Sequence, residues 1–519
     1  MSKVFHAFVL ILVTGLLAGR ALAEPLPTDP ALVTGALDNG LRYIVRQHSV
    51  PPGRAVMWIH LDTGSLNETD RQRGIAHYLE HMAFNGSKNF PPGSLIPFFE
   101  SLGMTFGRDQ NAFTSFHQTT YQLSLPNTTP ETLGKGMLFF ADVVSNLSLL
   151  SAEVDNERQI ILEERRRSLS GRQRTGDYVM ERIAPGSLFG FRLPIGTEAT
   201  IKGVQPQDFQ DYYGKWYTPS NATLLVVADT DPQEVVKIIK QQFADAPKLP
   251  RPTPQDLKVT AYDRSFGIVA SDPEIISEEV RISTLEPVHP PVTTVEQYRD
   301  ELVLRLGESA WNRRLGDKVD NGGTSYLNAR ISSSDDARAI HSAEVSARSN
   351  PGNWQKALAE VGTELQRARA YGFTDRELDD VKKNMISGAE RAVETAATTP
   401  AQGLISRMNG TIANQEPIMS PQQRLDLLSK LLPTITSEEV TARFAREFNF
   451  TNVAFIAVLP SGGSIPSESE LVEIGTRALS VKPEKEVEVA HATELMKELP
   501  SGGKIVEVAE HDATKVWSG

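Results

Sequence analysis

Four prolines crowd the stretch DAPKLPRPTPQD, at Pro247, Pro250, Pro252 and Pro254. Each fixes φ and removes a backbone donor, so neither a helix nor a sheet ladder can run through, and the segment favours an extended linker. The 519-residue chain is too long for one compact core. The prolines therefore divide it into a unit over residues 30–246, a linker over 247–260 and a second unit over 261–480.

Both units mix strand and helix patterns. In the first, Asn39-Gly40 gives a hairpin turn signal before RYIV, and AVMWIHL and TTYQLSL read as strands. Residues around 70–85, 131–147, 151–170 and 232–244 have helical spacing. The second unit carries strands near 265–286 and helices near 294–316, 353–371 and 375–395. It closes on NVAFIAVL, much as the first closes on NATLLVVA, a hint of internal duplication. The fold class is α+β, with two similar sheet-plus-helix domains in tandem.

Residues 1–23 read as a cleavable export signal: Lys3, the apolar run Phe8 to Ala18, then Ala21-Leu22-Ala23. The run is too short to span a bilayer and no second one follows, so the processed chain should have no membrane span and be periplasmic or secreted. Removing Lys3 and Arg20, with no acidic residue, takes the net charge from -12 to -14. An acidic chain is a poor partner for nucleic acid. The absence of cysteine excludes disulfides, a lipidated cysteine anchor and thiol catalysis. Residues 481–519 turn charged and irregular, as in a linker or a truncated tail.

The chemistry concentrates in RGIAHYLEHMAFNG, Arg73 to Gly86. Thr69 or Asp70 can cap a helix here and Asn85-Gly86 can end it. At about 100° per residue, Ile75, Tyr78, Leu79 and Met82 fall on one side and His77, Glu80 and His81 on the other. Histidines at i and i+4 present two imidazoles to one point, as zinc requires, and Glu80 stands close enough to take a proton from water. The same spacing also describes a solvated polar face, and a third ligand decides between the two.

SAEVDNERQIILEERRRSL holds a candidate. On an ideal helix Val154, Ile160, Ile161 and Glu164 lie within about 60° of Glu157, while Arg158, Arg165 and Arg166 point elsewhere. Glu157 thus shares an apolar face, where a carboxylate is costly unless paired or metal-bound. Glu153 and Glu164 lie along the same strip and could orient the histidines or the ligand. A buried ion pair is the alternative.

His77-x-x-Glu80-His81, 75 further residues and then Glu157 in NER resembles the signature of the pitrilysin/insulinase family of zinc metallopeptidases, the inverted H-x-x-E-H type. DTGSLNE, NAFTSFHQTTYQL and WYTPSNATLLVVAD match that family in order, and the likeness covers roughly residues 33–480. The resemblance implies zinc on His77, His81 and Glu157, with Glu80 as general base. It further implies an extended peptide or unfolded-protein substrate added as a strand along Gln110 to Phe116, touching Asn111, Ala112 and Phe113. Family members close two such halves around the substrate, and this chain reads as one half. An arginine and a tyrosine from the opposite half normally assist; Arg314 and Tyr326, in NRRLGDKVDNGGTSY, occupy a roughly corresponding place. The expected function is a zinc metalloendopeptidase completed by a second copy or a separate second-half subunit. The competing reading is a non-catalytic peptide-binding or scaffold subunit of the same fold. The chain has neither a G-x-S-x-G elbow nor a phosphate-binding G-x-x-x-x-G-K-[ST] loop.

Overall fold

The computed structural model describes residues 23–486, 508–511 and 516–518. The expected export signal, up to residue 22, and most of the expected tail lie outside these residues. No helix among the described residues is long and apolar enough to cross a membrane. Residues up to Pro483 form one unit, and in the remainder Ala509–His511 pairs antiparallel with Val516–Ser518.

The chain is α+β. The first sheet contains β1 (Leu32–Ala36), β2 (Arg42–Gln47), β3 (Ala55–Leu61), β4 (Gln110–Thr114), β5 (Thr119–Leu125) and β6 (Ala222–Ala228), in the order β1-β2-β6-β3-β5-β4. Its longer helices are α1 (Ile75–Met82), α2 (Pro130–Ser145), α3 (Ser151–Ser168), α4 (Gly171–Ile183), α5 (Pro206–Trp216) and α6 (Pro232–Gln242). The second sheet contains β7 (Phe266–Asp272), β8 (Glu278–Pro287), β9 (Asn328–Asp336), β10 (Ile340–Ser349) and β11 (Ala454–Pro460), in the order β7-β11-β8-β10-β9. Its helices are α7 (Val295–Asn321), α8 (Trp354–Tyr371), α9 (Asp375–Glu394), α10 (Ala401–Ala413), α11 (Pro421–Leu431), α12 (Ser437–Glu447) and α13 (Glu468–Leu479).

Without β1 the two sheets have one topology: β2-β6-β3-β5-β4 maps onto β7-β11-β8-β10-β9. In each, a parallel pair at one end joins an antiparallel remainder. The similarity of NATLLVVA and NVAFIAVL has this cause, since β6 and β11 are equivalent central strands, buried on both faces.

Each half covers one sheet face with its own helices and the other with a helix from its counterpart. Ala401, Ile405 and Met408 of α10 pack on Val56, Trp58, Leu225 and Val227 of the first sheet. Val179 of α4 packs on Ile268, Ala270, Ala454, Ile456 and Val458 of the second. Polar groups fix both exchanges: Asn409 Oδ1 lies 3.0 Å from His60 Nδ1, and Arg174 donates to both oxygens of Asp272 at 2.7 and 2.9 Å. Each buried aliphatic side chain contributes about 1.5–3 kcal/mol, so the exchange ties the two sheets together.

The proline-rich segment carries no helix or strand, but it is docked. Gln255 Nε2 donates to the carbonyls of Leu66 and Glu68, and Arg251 pairs with Asp62. Arg338, in the β9–β10 turn, donates to the other Asp62 oxygen at 2.6 Å, and Arg42 lies 3.8 Å away. Ala337 and Arg338 both have positive φ, 54° and 52°, a conformation that non-glycine residues adopt only when held. Burial works against the charge of Asp62, yet His60, Arg338 and Arg251 hold its carboxyl well below the usual carboxylate range. Such a group adds stability above its unfolded pKa of about 4, and that stability is lost as pH falls. Asp62→Asn should cost about 2–3 kcal/mol at pH 7, less than for a fully buried pair because Arg42 and Arg251 reach solvent. Urea melts should show the penalty shrinking below about pH 4.

Candidate metal centre

Even the polar face of helix α1 is mostly covered, with the His77 and His81 side chains 13% and 25% exposed. Ile75, Ala76, Tyr78, Leu79 and Met82 are at most 2% exposed in the first core, and Glu80 on the opposite side is only 7% exposed. The polar residues of H-x-x-E-H therefore have to find partners inside the protein.

The start of α1 is not capped as expected. Thr69 caps the short turn Asp70–Gln72, whereas the amides of Gly74 and Ala76 donate to the two oxygens of Glu68 at 2.9 and 2.8 Å. Gly74 adopts φ 95°, and a Cβ there would stand 2.9 Å from Gly196 Cα, so this entry to the helix requires glycine. The far end is as expected, with Phe84 and Asn85 closing the last turn on His81 and Met82.

The phenol of Tyr78 donates to the carbonyl of Val154 and fixes where α3 crosses α1. On α3, Val154, Glu157 and Ile161 are buried, whereas Ile160 is 54% exposed, against expectation. The inward strip is the i, i+3, i+7, i+10 set of Val154, Glu157, Ile161 and Glu164, one residue away from Ile160.

This crossing places the two glutamates on different sides of the histidines. Glu157 Oε1 lies 2.9 Å from His81 Nδ1, and its Oε2 accepts from Asn85 Nδ2 at 2.7 Å. It sits behind the imidazole. Glu164 stands in front: Oε1 lies 3.5 Å from His77 Nε2 and Oε2 3.4 Å from His81 Nε2. The donor atoms of His77, His81 and Glu164 lie within 4.8 Å of one another. Glu153 makes no hydrogen bond or ion pair with either histidine among the described residues. Glu80, beside them, accepts from Thr114 Oγ1 at 2.6 Å. Asn85 and Thr114 escaped the sequence reading, because nothing in their spacing shows that a turn and an edge strand converge on the helix.

The electrostatics suit a cation. Burial opposes a charged His81, but bonds to Glu157 and Glu164 carry its pKa up to about 9. Burial raises Glu80, against the pull of His77 and His81, and bonds to the histidines hold Glu164 well below the usual range. Two imidazoles and a carboxylate meeting at one point, with a second carboxylate steadying the far nitrogen of His81, match the donor chemistry of zinc. The buried Nδ1 of His77 has no hydrogen-bond partner among the described residues.

β4 is the edge strand, paired along its length with β5, and Gln110 at its start also bridges to Phe106. Asn111 is exposed, Ala112 is half-buried against the first core, and Phe113 packs edge-on against Trp58 at 6.3 Å on the opposite face. Arg314 and Tyr326 are not brought to the histidines. Arg314 is locked to Glu377 by bonds of 2.9 and 3.0 Å over the Phe373 ring, and Tyr326 is 3% exposed in the second core.

The insulinase (peptidase family M16) model matches residues 43–181, and the peptidase M16 inactive domain model matches residues 203–385. The chain is 32% identical to the probable zinc protease PqqL of Escherichia coli over 84% of its own length and 47% of that protein. It thus spans about half the length of that relative. It is 28% identical to the zinc protease PqqE of Helicobacter pylori over 69% of its own length and 80% of that protein. The crystal structure of the first half of the periplasmic protease PqqL from Escherichia coli superposes with a TM-score of 0.82 at 28% identity, covering 89% of this chain and all of that one.

Glu68→Ala should destabilise the chain by about 1–2 kcal/mol, the range for a lost helix cap. In hydrogen exchange the amides of Gly74 and Ala76 should lose protection while those of β3 keep theirs.

Proposed function

Because the chain belongs to the insulinase family of peptidases, M16, we propose that it is one half of a zinc metalloendopeptidase acting on peptides or unfolded protein segments. The observation that carries this reading is the convergence of His77 Nε2, His81 Nε2 and Glu164 beside Glu80. His77, His81 and Glu164 hold the zinc, and Glu157 keeps His81 in the tautomer that offers Nε2. When bound, zinc supplies Lewis acidity, polarising a carbonyl and lowering the pKa of water to about 7.

Glu80 does the proton work. Thr114 occupies Oε2, leaving Oε1 to take a proton from the attacking water and return it to the departing amide nitrogen. Its upward shift by burial suits a group that must act first as base and then as acid. The free edge of β4 offers backbone groups to an extended substrate, and Asn111, Ala112 and Phe113 line that added strand. This pairing reads backbone more than side chain, which fits a broad range of unfolded segments.

The chain's half-length match to the E. coli protease supports a requirement for a second half. The leader sequence supports export to the periplasm or beyond. A non-catalytic peptide-binding subunit is favoured only by the inactive-domain match over residues 203–385, which contains none of His77, Glu80, His81 or Glu164.

Glu80→Gln should retain zinc and lose about 10²–10⁴-fold in peptide cleavage. Glu164→Gln should lose the zinc, whereas Glu157→Gln should weaken it by about 10–100-fold. Zinc analysis with a peptidase assay reads all three, and cleavage unchanged in Glu80→Gln contradicts the role of Glu80. Light scattering during the assay tests the second half: full activity from a strict monomer refutes it.

A further inference from the structure

A second cluster of histidine and carboxylate donors lies in the second half, on residues that the peptidase site does not use. The ladder registers create it. His341 of β10 pairs directly with Glu286 of β8 on one side and with Asp335 of β9 on the other, so the three side chains share one face of the sheet. His289, just beyond β8, folds back over His341 with ring centroids 3.9 Å apart.

The two rings are flanked alike. Asp335 Oδ1 lies 2.8 Å from His341 Nδ1 and 3.8 Å from His289 Nδ1. On the other side Glu286 Oε1 lies 3.2 Å from His289 Nε2, and Glu447 Oε1 lies 2.7 Å from His341 Nε2. Donor atoms of Glu286, His289 and His341 come within 4.8 Å of one another. These three and Glu447 line a cavity of about 520 Å³, an entry path for an ion; Asp335 is not among its lining residues.

His341 and Glu447 are under 10% exposed, whereas Glu286 and His289 are over 40% exposed, giving a rigid buried side and an adaptable outer side. Arg443 occupies the second oxygen of Glu447 at 2.6 Å, while Oε1 faces the imidazole and also accepts from Ser333 Oγ at 2.6 Å.

We propose that the second half binds a divalent transition-metal ion through Glu286, His289 and His341, with Glu447 as a fourth donor and Asp335 orienting the Nδ1 nitrogens. Two imidazoles with carboxylates suit zinc and its neighbours, and the hard oxygen-only preference of calcium or magnesium does not match. A bound ion would pin the exit of β8 to the β9–β10 hairpin, whose turn carries Arg338 to Asp62. The role is that of a clamp on the joint between the halves. It does not depend on the peptidase assignment.

The test uses the full chain with His77→Ala and His81→Ala, which removes the first site, titrated with Zn²⁺ against a chromophoric chelator. One equivalent should bind and should raise the melting temperature. Adding His289→Ala, a substitution at a half-exposed loop residue, should weaken binding at least tenfold. Asp335→Asn should weaken it by about 10–100-fold, the range for a residue that orients a ligand. No zinc binding in the double variant, or binding unchanged by both His289→Ala and Asp335→Asn in chains that melt cooperatively, overturns the proposal.

Discussion

The site depends on how deeply α1 is buried, with even its polar face mostly covered. A helix with Ile75, Tyr78, Leu79 and Met82 in the core could leave His77, Glu80 and His81 in water, yet α3, β4 and the turn after α1 close over them. Desolvation then favours pairing of the polar groups, and the pairs formed dictate the geometry. Glu68 holds the first amides, Tyr78 fixes the crossing with α3, and Glu157 with Asn85 holds His81 from behind. Glu164 is left to face both Nε2 atoms. Each contact is modest, but together they place three donors at one point before any ligand arrives, which is what preorganisation requires.

The second half repeats this architecture and uses it differently. Helix α7 follows β8 where α1 follows β3, but it carries no histidine and packs Leu302, Leu306, Ala310, Trp311 and Leu315 into an apolar core. Exchanging α4 and α10 makes each sheet depend on the other half for one of its faces. A change on one side, such as loss of Asp62, is therefore felt on the other through the linker and the β9–β10 turn. The duplicated fold supplies a rigid frame, and only the first copy carries the H-x-x-E-H set.

Much of this was legible in the sequence because it is local. Histidines at i and i+4 with a glutamate between them need only helical spacing, and the strands Ala55–Leu61 and Thr119–Leu125 also declare themselves. What stayed hidden needs long-range geometry. Glu157 and Glu164 are seven residues apart, about two helical turns, so they share a face and periodicity cannot rank them. Burial favours Glu157, but its carboxylate is satisfied by His81 and Asn85, whereas Glu164, 45% exposed, faces both Nε2 atoms. Ile160 misled because its angle was taken from an ideal wheel centred on Glu157 rather than between Glu157 and Ile161. Arg314 pairs with Glu377 and Tyr326 lies in the second core, contacts that no spacing shows.

The central claim is that Glu164, and not Glu157, completes the zinc site with His77 and His81. A zinc-edge anomalous diffraction map of the zinc-loaded chain tests it most directly. The account predicts a peak bonded to both Nε2 atoms and a Glu164 oxygen, with Glu157 still on His81 Nδ1. A Glu157 oxygen bonded to the metal, or no peak between the histidines, would contradict it.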